Sequence, residues 1–338
     1  MESSVISVHA LGFQWETKDP FLFCAHHNDA YPEGNEALGP AASLKGRNIG
    51  SDFDPRNDWR MYHGQTVPGF PVHPHRGFET ITIVLSGFID HADSAGSAGR
   101  YGNGDVQWMT AGAGLQHAEM FPLLNKDKPN PLELFQIWLN LPGVGKMVKP
   151  YFKMLWKESI PRISVVDSKG RNTEVIVITG RINDVTFDAP APDSWAANPL
   201  NEVIAVRLKM EPNAEYRIPS ASKGVNRMLY YYLGSEIDLN GEAILANHSI
   251  ELKPDFEIII KNGYKESELL LLQGKPINEP VVQYGPFVMN TQQEIQKAVS
   301  DYRLTEFGGW PWPSEEQVHG KEKSRFARYS DGTYEYPE

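Results

Sequence analysis

His73-Pro74-His75-Arg76-Gly77-Phe78-Glu79-Thr80-Ile81-Thr82-Ile83-Val84-Leu85 is the stretch on which the reading of this chain turns. Side chains of a strand alternate between two faces, so His73, His75, Glu79, Ile81, Ile83 and Leu85 share one parity while Arg76, Phe78, Thr80 and Thr82 share the other. The expected face runs from two imidazoles through a carboxylate into aliphatic core. That is how a strand enters a barrel past a polar site near its mouth.

A second stretch, Gly104 to Met120, ends on His117 and Glu119, again two residues apart. Two strands, each offering a same-face pair, can deliver four ligands to one point. Neutral imidazole and carboxylate suit Fe, Mn, Zn, Ni or Cu, and three histidines with one carboxylate fill only part of an octahedron. Positions remain for water, dioxygen or substrate. A lone His-x-His is more often filler than a ligand pair, but two such pairs joined by turn-rich β sequence favour a metal. Cys24, His26 and His27 read instead as a buried thiol beside loop histidines, His91 as solvent-exposed, and Trp108 and Met109 as core or pocket wall.

Outward from these stretches the pattern is mostly β. Short alternating or apolar runs recur at Thr80–Leu85, Asp105–Met109, Glu133–Leu139, Glu174–Ile178, Glu202–Met210, Arg227–Leu233, Ala243–Leu245, Ile250–Leu252, Glu257–Lys261 and Glu268–Leu272, with turn signals such as Asn240-Gly241 between them. One helix is expected over Thr291–Phe307, where Thr291 and Glu294 form a capping-box pattern. Asn28 to Val67 has no sustained period, Pro142 to Pro161 reads as a linker, and the tail from Phe307 reads as a strap. Evenly spaced strands over this length point to barrels or double-sheet jelly rolls.

The 338 residues, 41% hydrophobic and 22% charged, are ordinary globular composition with room for two cores. A net charge of −11 with no basic block argues against direct nucleic-acid binding. The single cysteine excludes an internal disulfide and any multi-thiolate site. No apolar run approaches the roughly 20 residues of a membrane span, and the start lacks a secretory signal, so a cytoplasmic location is expected. Of the 10 histidines, only His248 and His319 follow His117, so two domains here would not share one chemistry.

The His73-x-His75-xxx-Glu79 run with Gly87, followed by the Gly104-to-His117 segment, resembles the paired motifs of the cupin superfamily. More closely, the chain resembles the pirin family. The matching segments are Asp19-Pro20-Phe21-Leu22-Phe23, His73 to Thr80, Gly104 to Gly112, His117-Ala118-Glu119-Met120, Gln136 to Pro142 and Tyr284 to Thr291. The resemblance implies an all-β fold of two face-to-face cupin barrels with a short C-terminal helix and tail: a metal-binding domain over 1–150, a second cupin over 160–300 and an extension over 301–338. It implies one divalent ion, Fe(II) first with Mn, Ni, Co, Zn or Cu as alternatives, held by His73, His75, His117 and Glu119. Glu79, a ligand in the general cupin pattern, becomes an outer group orienting a ligand or water.

Aligning Leu233-Gly234 with Ser86-Gly87 sets Ser220, Ser222 and Asn226 opposite His73, His75 and Glu79, so no ligand set survives in the second cupin. The activity implied is a metal-dependent dioxygenase of quercetin 2,3-dioxygenase type, taking a small aromatic substrate and dioxygen. Glu119, and after it Glu79, would be the proton acceptor. The alternative implied is an iron-dependent regulator that binds a protein partner, a transcription factor or a metabolic enzyme. The long segment before the ligand strand is expected to cover the pocket entrance.

Overall fold

The computed structural model describes residues 2–187 and 190–338. The chain is all-β, with one short helix near its C-terminus among the described residues, and its strands form pairs of facing sheets of jelly-roll type. Two compact units are present. One comprises Met1–Cys24 with Ser159–Asn278, the other Ala25–Glu158 with Glu279–Glu338.

In the first unit a long antiparallel sheet carries Val5–Ala10, His248–Leu252, Asn226–Leu233, Ser267–Gly274, Ile204–Met210, Asn172–Ile182 and Arg162–Val166 in that order. Val5–Ala10 belongs here because it hydrogen-bonds along His248–Leu252. A smaller sheet, from Glu215–Ile218 through Ile258–Asn262 to the hairpin Glu236–Leu239/Glu242–Leu245, faces it. Leu208, Leu229, Tyr231 and Leu271 from one sheet pack on Ile218, Ile237, Leu239 and Ile260 from the other. The alternation of these strands is what builds that core. The hairpin turns on Asn240 and Gly241, both at positive φ (51° and 94°), as the Asn-Gly pair implies.

The second unit again has two sheets. One runs Tyr151–Leu155, Val106–Thr110, Phe78–Ser86, Asn130–Asn140. The other runs Tyr334–Glu335, Phe326–Arg328, Ala98–Gly102, Phe88–Asp93, Leu115–Met120, Gly69–His75. Tyr151–Leu155 is therefore not part of a linker. Phe152 and Met154 face the aromatic core while Tyr151 is exposed, a short amphipathic strand hidden in sequence by the prolines and glycines before it. The tail adds two strands to the edge of the second sheet. The helix, Gln292–Thr305, starts on Thr291, whose side chain accepts from the Glu294 backbone while Glu294 returns the bond.

The irregular segment after Tyr31 is packed rather than open. Asp29, fully buried, accepts from Tyr62 Oη at 2.7 Å and from Arg60 Nε at 2.9 Å. Phe53, Trp59 and Tyr62 join Tyr31 and Phe121 in one aromatic cluster. Removing only the hydroxyl in Tyr62→Phe leaves a buried carboxylate short of a donor, so unfolding free energy should fall by about 1–3 kcal/mol in chemical denaturation. An unchanged midpoint would show that water replaces the bond.

Candidate metal centre

The expected single face from His73 to Leu85 is broken at Gly77. Its φ is +87°, and a Cβ there would stand 2.0 Å from the Val288 carbonyl oxygen, so only glycine fits. Gly69–His75 lies in one sheet and Phe78–Ser86 in the other, and the parity count restarts between them. The turn is pinned by Lys146, whose Nζ donates to the carbonyls of Gly77 (2.8 Å) and Val288 (3.3 Å) and to Asn140 Oδ1 (2.7 Å). Burial lowers that ammonium to about 8.

His73 sits directly opposite His117 in the pairing of Gly69–His75 with Leu115–Met120. The ring centroids of His73 and His117 are 4.4 Å apart, those of His73 and His75 4.8 Å, and those of His75 and His117 4.9 Å. One nitrogen from each ring lies within 4.8 Å of the other two. An ion about 2.1 Å from each nitrogen needs only small torsional adjustments of these rings.

Both ring nitrogens of His117 are buried without a hydrogen-bond partner, a deficit that costs stability and that an ion would relieve at one of the two. His73 Nδ1 lies 2.8 Å from the Pro71 carbonyl, and His75 Nδ1 lies 3.4 Å from that of Pro286. A carbonyl only accepts, so each Nδ1 carries the proton and each Nε2 offers its lone pair. The donor set fits a first-row divalent ion.

Burial lowers His73 to about 4 and holds His75 and His117 well below the usual 6.5, so all three are neutral at pH 7. Protons and a metal compete for the same lone pairs, and burial weakens the proton between pH 6.5 and 4. Bound metal should therefore survive ultrafiltration at about pH 5.5 and be released as pH nears 4. Release already complete near pH 6.5 would contradict this.

Glu119 is buried, with Oε2 3.8 Å from His117 Nε2. Its Oε1 is 3.0 Å from Thr82 Oγ1, which is itself 2.7 Å from Gln136 Oε1, and Gln136 Nε2 donates to Glu119 Oε2 at 3.1 Å. The single Thr82 hydroxyl proton is shared between the Glu119 and Gln136 oxygens, while the Gln136 amide holds the other Glu119 oxygen. Burial raises the Glu119 carboxyl above its ordinary range, opposed by His91 and by hydrogen bonds from Thr82, Gln136 and Tyr101.

Glu79 lies apart from this cluster. It is fully buried on the face of its strand opposite Thr82 and accepts from Thr110 Oγ1 at 2.7 Å. His26 pairs with Glu133 at 2.9 Å and His27 with Tyr62 at 2.8 Å, so neither joins the imidazole cluster, and Cys24 is a buried thiol.

His91 is the residue that sequence reasoning misplaced. It is buried, not exposed: it stacks on Phe152 at 4.9 Å, lies opposite Glu119 across the strand pair, and its ring centroid is 5.5 Å from that of His117. Phe88-Ile89-Asp90-His91-Ala92-Asp93 has no apolar alternation to mark it, yet it forms a strand.

Residues 7–139 match the Pirin family model, and residues 205–308 match the Pirin C-terminal cupin domain. Human pirin is 34% identical over 284 residues, covering 82% of this chain and 91% of that protein. A Pseudomonas aeruginosa relative that carries quercetin 2,3-dioxygenase as a provisional name is 36% identical over 259 residues, covering 76% and 82%. The structure of quercetin 2,3-dioxygenase from Acinetobacter baumannii shares the fold at TM-score 0.71 and 24% identity, covering 90% of this chain and 98% of that one. With a histidine cluster suited to one metal ion in its N-terminal cupin and this likeness along both domains, the chain belongs to the pirin family.

Proposed function

We propose that this chain is a metal-dependent dioxygenase of quercetin 2,3-dioxygenase type, acting on flavonol-like enolisable aromatics, with one divalent ion held by His73, His75, His117 and Glu119. The observation that carries this reading is the convergence of three neutral imidazoles, His75 and His117 buried and His73 half-buried, beside the buried Glu119 carboxyl group. The provisional name of the P. aeruginosa relative supports the same reaction class. When bound, the ion, Fe(II) in the first instance, supplies Lewis-acid and one-electron chemistry toward the substrate and dioxygen.

The chain's own residues do the rest. Trp138, half-buried, lies 5.5 Å from His75 and 4.4 Å from Phe78, centroid to centroid, an aromatic wall against which a flat substrate can be oriented. Gln136 and Thr82 orient the Glu119 carboxylate, which accepts the flavonol hydroxyl proton and can return it. The products of that reaction are a phenolic ester and carbon monoxide.

The test is dioxygen uptake with quercetin, using protein loaded in turn with Fe(II), Mn(II), Ni(II), Co(II) or Cu(II). At least one metal should support turnover. Glu119→Gln should keep most of the metal and lose about 10²–10⁴-fold in rate, the range for removing a general base. No uptake with any metal, together with a protein partner that copurifies stoichiometrically, would favour the regulatory alternative.

A further inference from the structure

Among its described residues the second cupin holds no cluster of metal-ligating side chains, yet it is not filled. A cavity of about 550 Å³ opens into it, lined by Ile182, Ile204, Ile218 and Leu271 from the core and by Arg227 and Gln273. Arg227 and Gln273 stand opposite each other on neighbouring strands, on the same faces as the core residues Leu229 and Leu271. Both are 2% exposed. A guanidinium aimed into a barrel interior is costly unless something answers its charge.

Its partners are all neutral. Nε donates to Gln273 Oε1 at 2.8 Å, Nη2 to the Pro219 carbonyl at 2.9 Å and Nη1 to the Phe256 carbonyl at 3.4 Å. These use three of the five N–H donors of a guanidinium. No carboxylate is within ion-pair distance of it among the described residues. The nearest acidic influence is Glu202 on the cavity wall, whose Oε2 already accepts from the Ser222 backbone at 3.2 Å. Burial lowers Arg227 only to about 10, so it remains a cation at neutral pH. The rim is polar and open, with Arg181 and Ser220 exposed.

We infer that the C-terminal cupin is a second small-molecule site, which binds an organic monocarboxylate with its carboxylate on Arg227 and its apolar body against Ile204, Pro219 and Ala221. The site occupies the barrel whose metal-ligand positions are vacant in sequence. Ser220, set opposite His73 by the alignment, is one of its lining residues. A bare inorganic anion would satisfy the guanidinium but leave the apolar floor uncovered, so the organic acid is favoured.

The test titrates benzoate into the full-length, metal-loaded protein by calorimetry and saturation-transfer NMR, with sulfate as a parallel arm. One benzoate should bind per chain and sulfate should bind more weakly. Arg227→Gln should weaken benzoate at least about tenfold, the scale of one charge-assisted hydrogen bond. Ser220→Trp changes only an exposed rim residue, should block the cavity to the same extent, and decides the matter if Arg227→Gln fails to fold. His117→Ala should leave benzoate binding unchanged. Absence of binding, binding unaffected by both cavity variants, binding lost in His117→Ala, or sulfate binding as tight as benzoate would each overturn the proposal.

Discussion

His117→Ala is expected to abolish stoichiometric metal binding, with a loss in affinity beyond the roughly 10–100-fold that removal of an outer partner of a ligand costs. His117 is the centre of the cluster: it faces His73 across the strand pair, its ring is within 4.9 Å of His75, and Glu119 is 3.8 Å away. In the metal-free chain its two unpaired nitrogens contribute nothing favourable. The variant therefore removes an unsatisfied polar group while opening only a small void, and the metal-free fold should be nearly as stable as before. Elemental analysis and thermal unfolding, each with and without added metal, separate the two effects. Wild type should gain stability with metal and the variant should not. A variant that retains one equivalent of metal would refute the assignment.

The second large effect is expected far from the metal. Asp90→Ala should cost about 3–5 kcal/mol, because it leaves a buried cation without its counter-ion. Arg100 and Asp90 are both fully buried and meet through two hydrogen bonds of 2.7 Å. Arg100 also donates to the carbonyls of His319, Gly320 and Lys323, and the His319 N–H donates to Asp90 Oδ2 at 2.8 Å. This one ion pair thus ties the C-terminal tail to the strand that neighbours His117 and Glu119. For a unit of this size the loss corresponds to a fall in Tm on the order of 10 °C. Limited proteolysis should release the tail in the variant before the rest of the chain is cut. Equal resistance of variant and wild type would mean that the Phe326–Arg328 strand pairing holds the tail alone.

Much of the fold was legible because local signals agreed with the long-range pairing. The capping box at Thr291 and Glu294 placed the helix start, Asn240-Gly241 placed a hairpin, and runs such as Glu268–Leu272 announced buried strands. Features that depend on the partner strand were hidden. Parity could not be carried through Gly77, because a left-handed glycine resets which side chains face the interior, and this separates Glu79 from the imidazoles although the sequence sets them in phase. His91 was misread for the complementary reason: its burial comes from Phe152 and Glu119, both remote in sequence. Likewise, nothing local marks Arg227 as pointing inward; only its pairing with Gln273 shows it.

The irregular segment from Asn28 to Val67 also changes meaning. Its Asp29–Arg60 and Asp52–Arg47 pairs and its aromatic cluster make it part of the barrel's packing, so shortening it would disturb stability before it altered any entrance. The Glu316 carboxylate, from the tail, accepts from the backbone N–H groups of Gln65, Thr66 and Val67, which lead into the ligand strand. The irregular segment and the tail, far apart in sequence, thus brace the same approach to His73.

X-ray absorption at the metal edge of natively loaded protein tests the central claim most directly. The account predicts one ion per chain in a light-atom shell dominated by three imidazoles with at least one oxygen donor. A shell with one imidazole or none, or two equivalents of metal per chain, would contradict it.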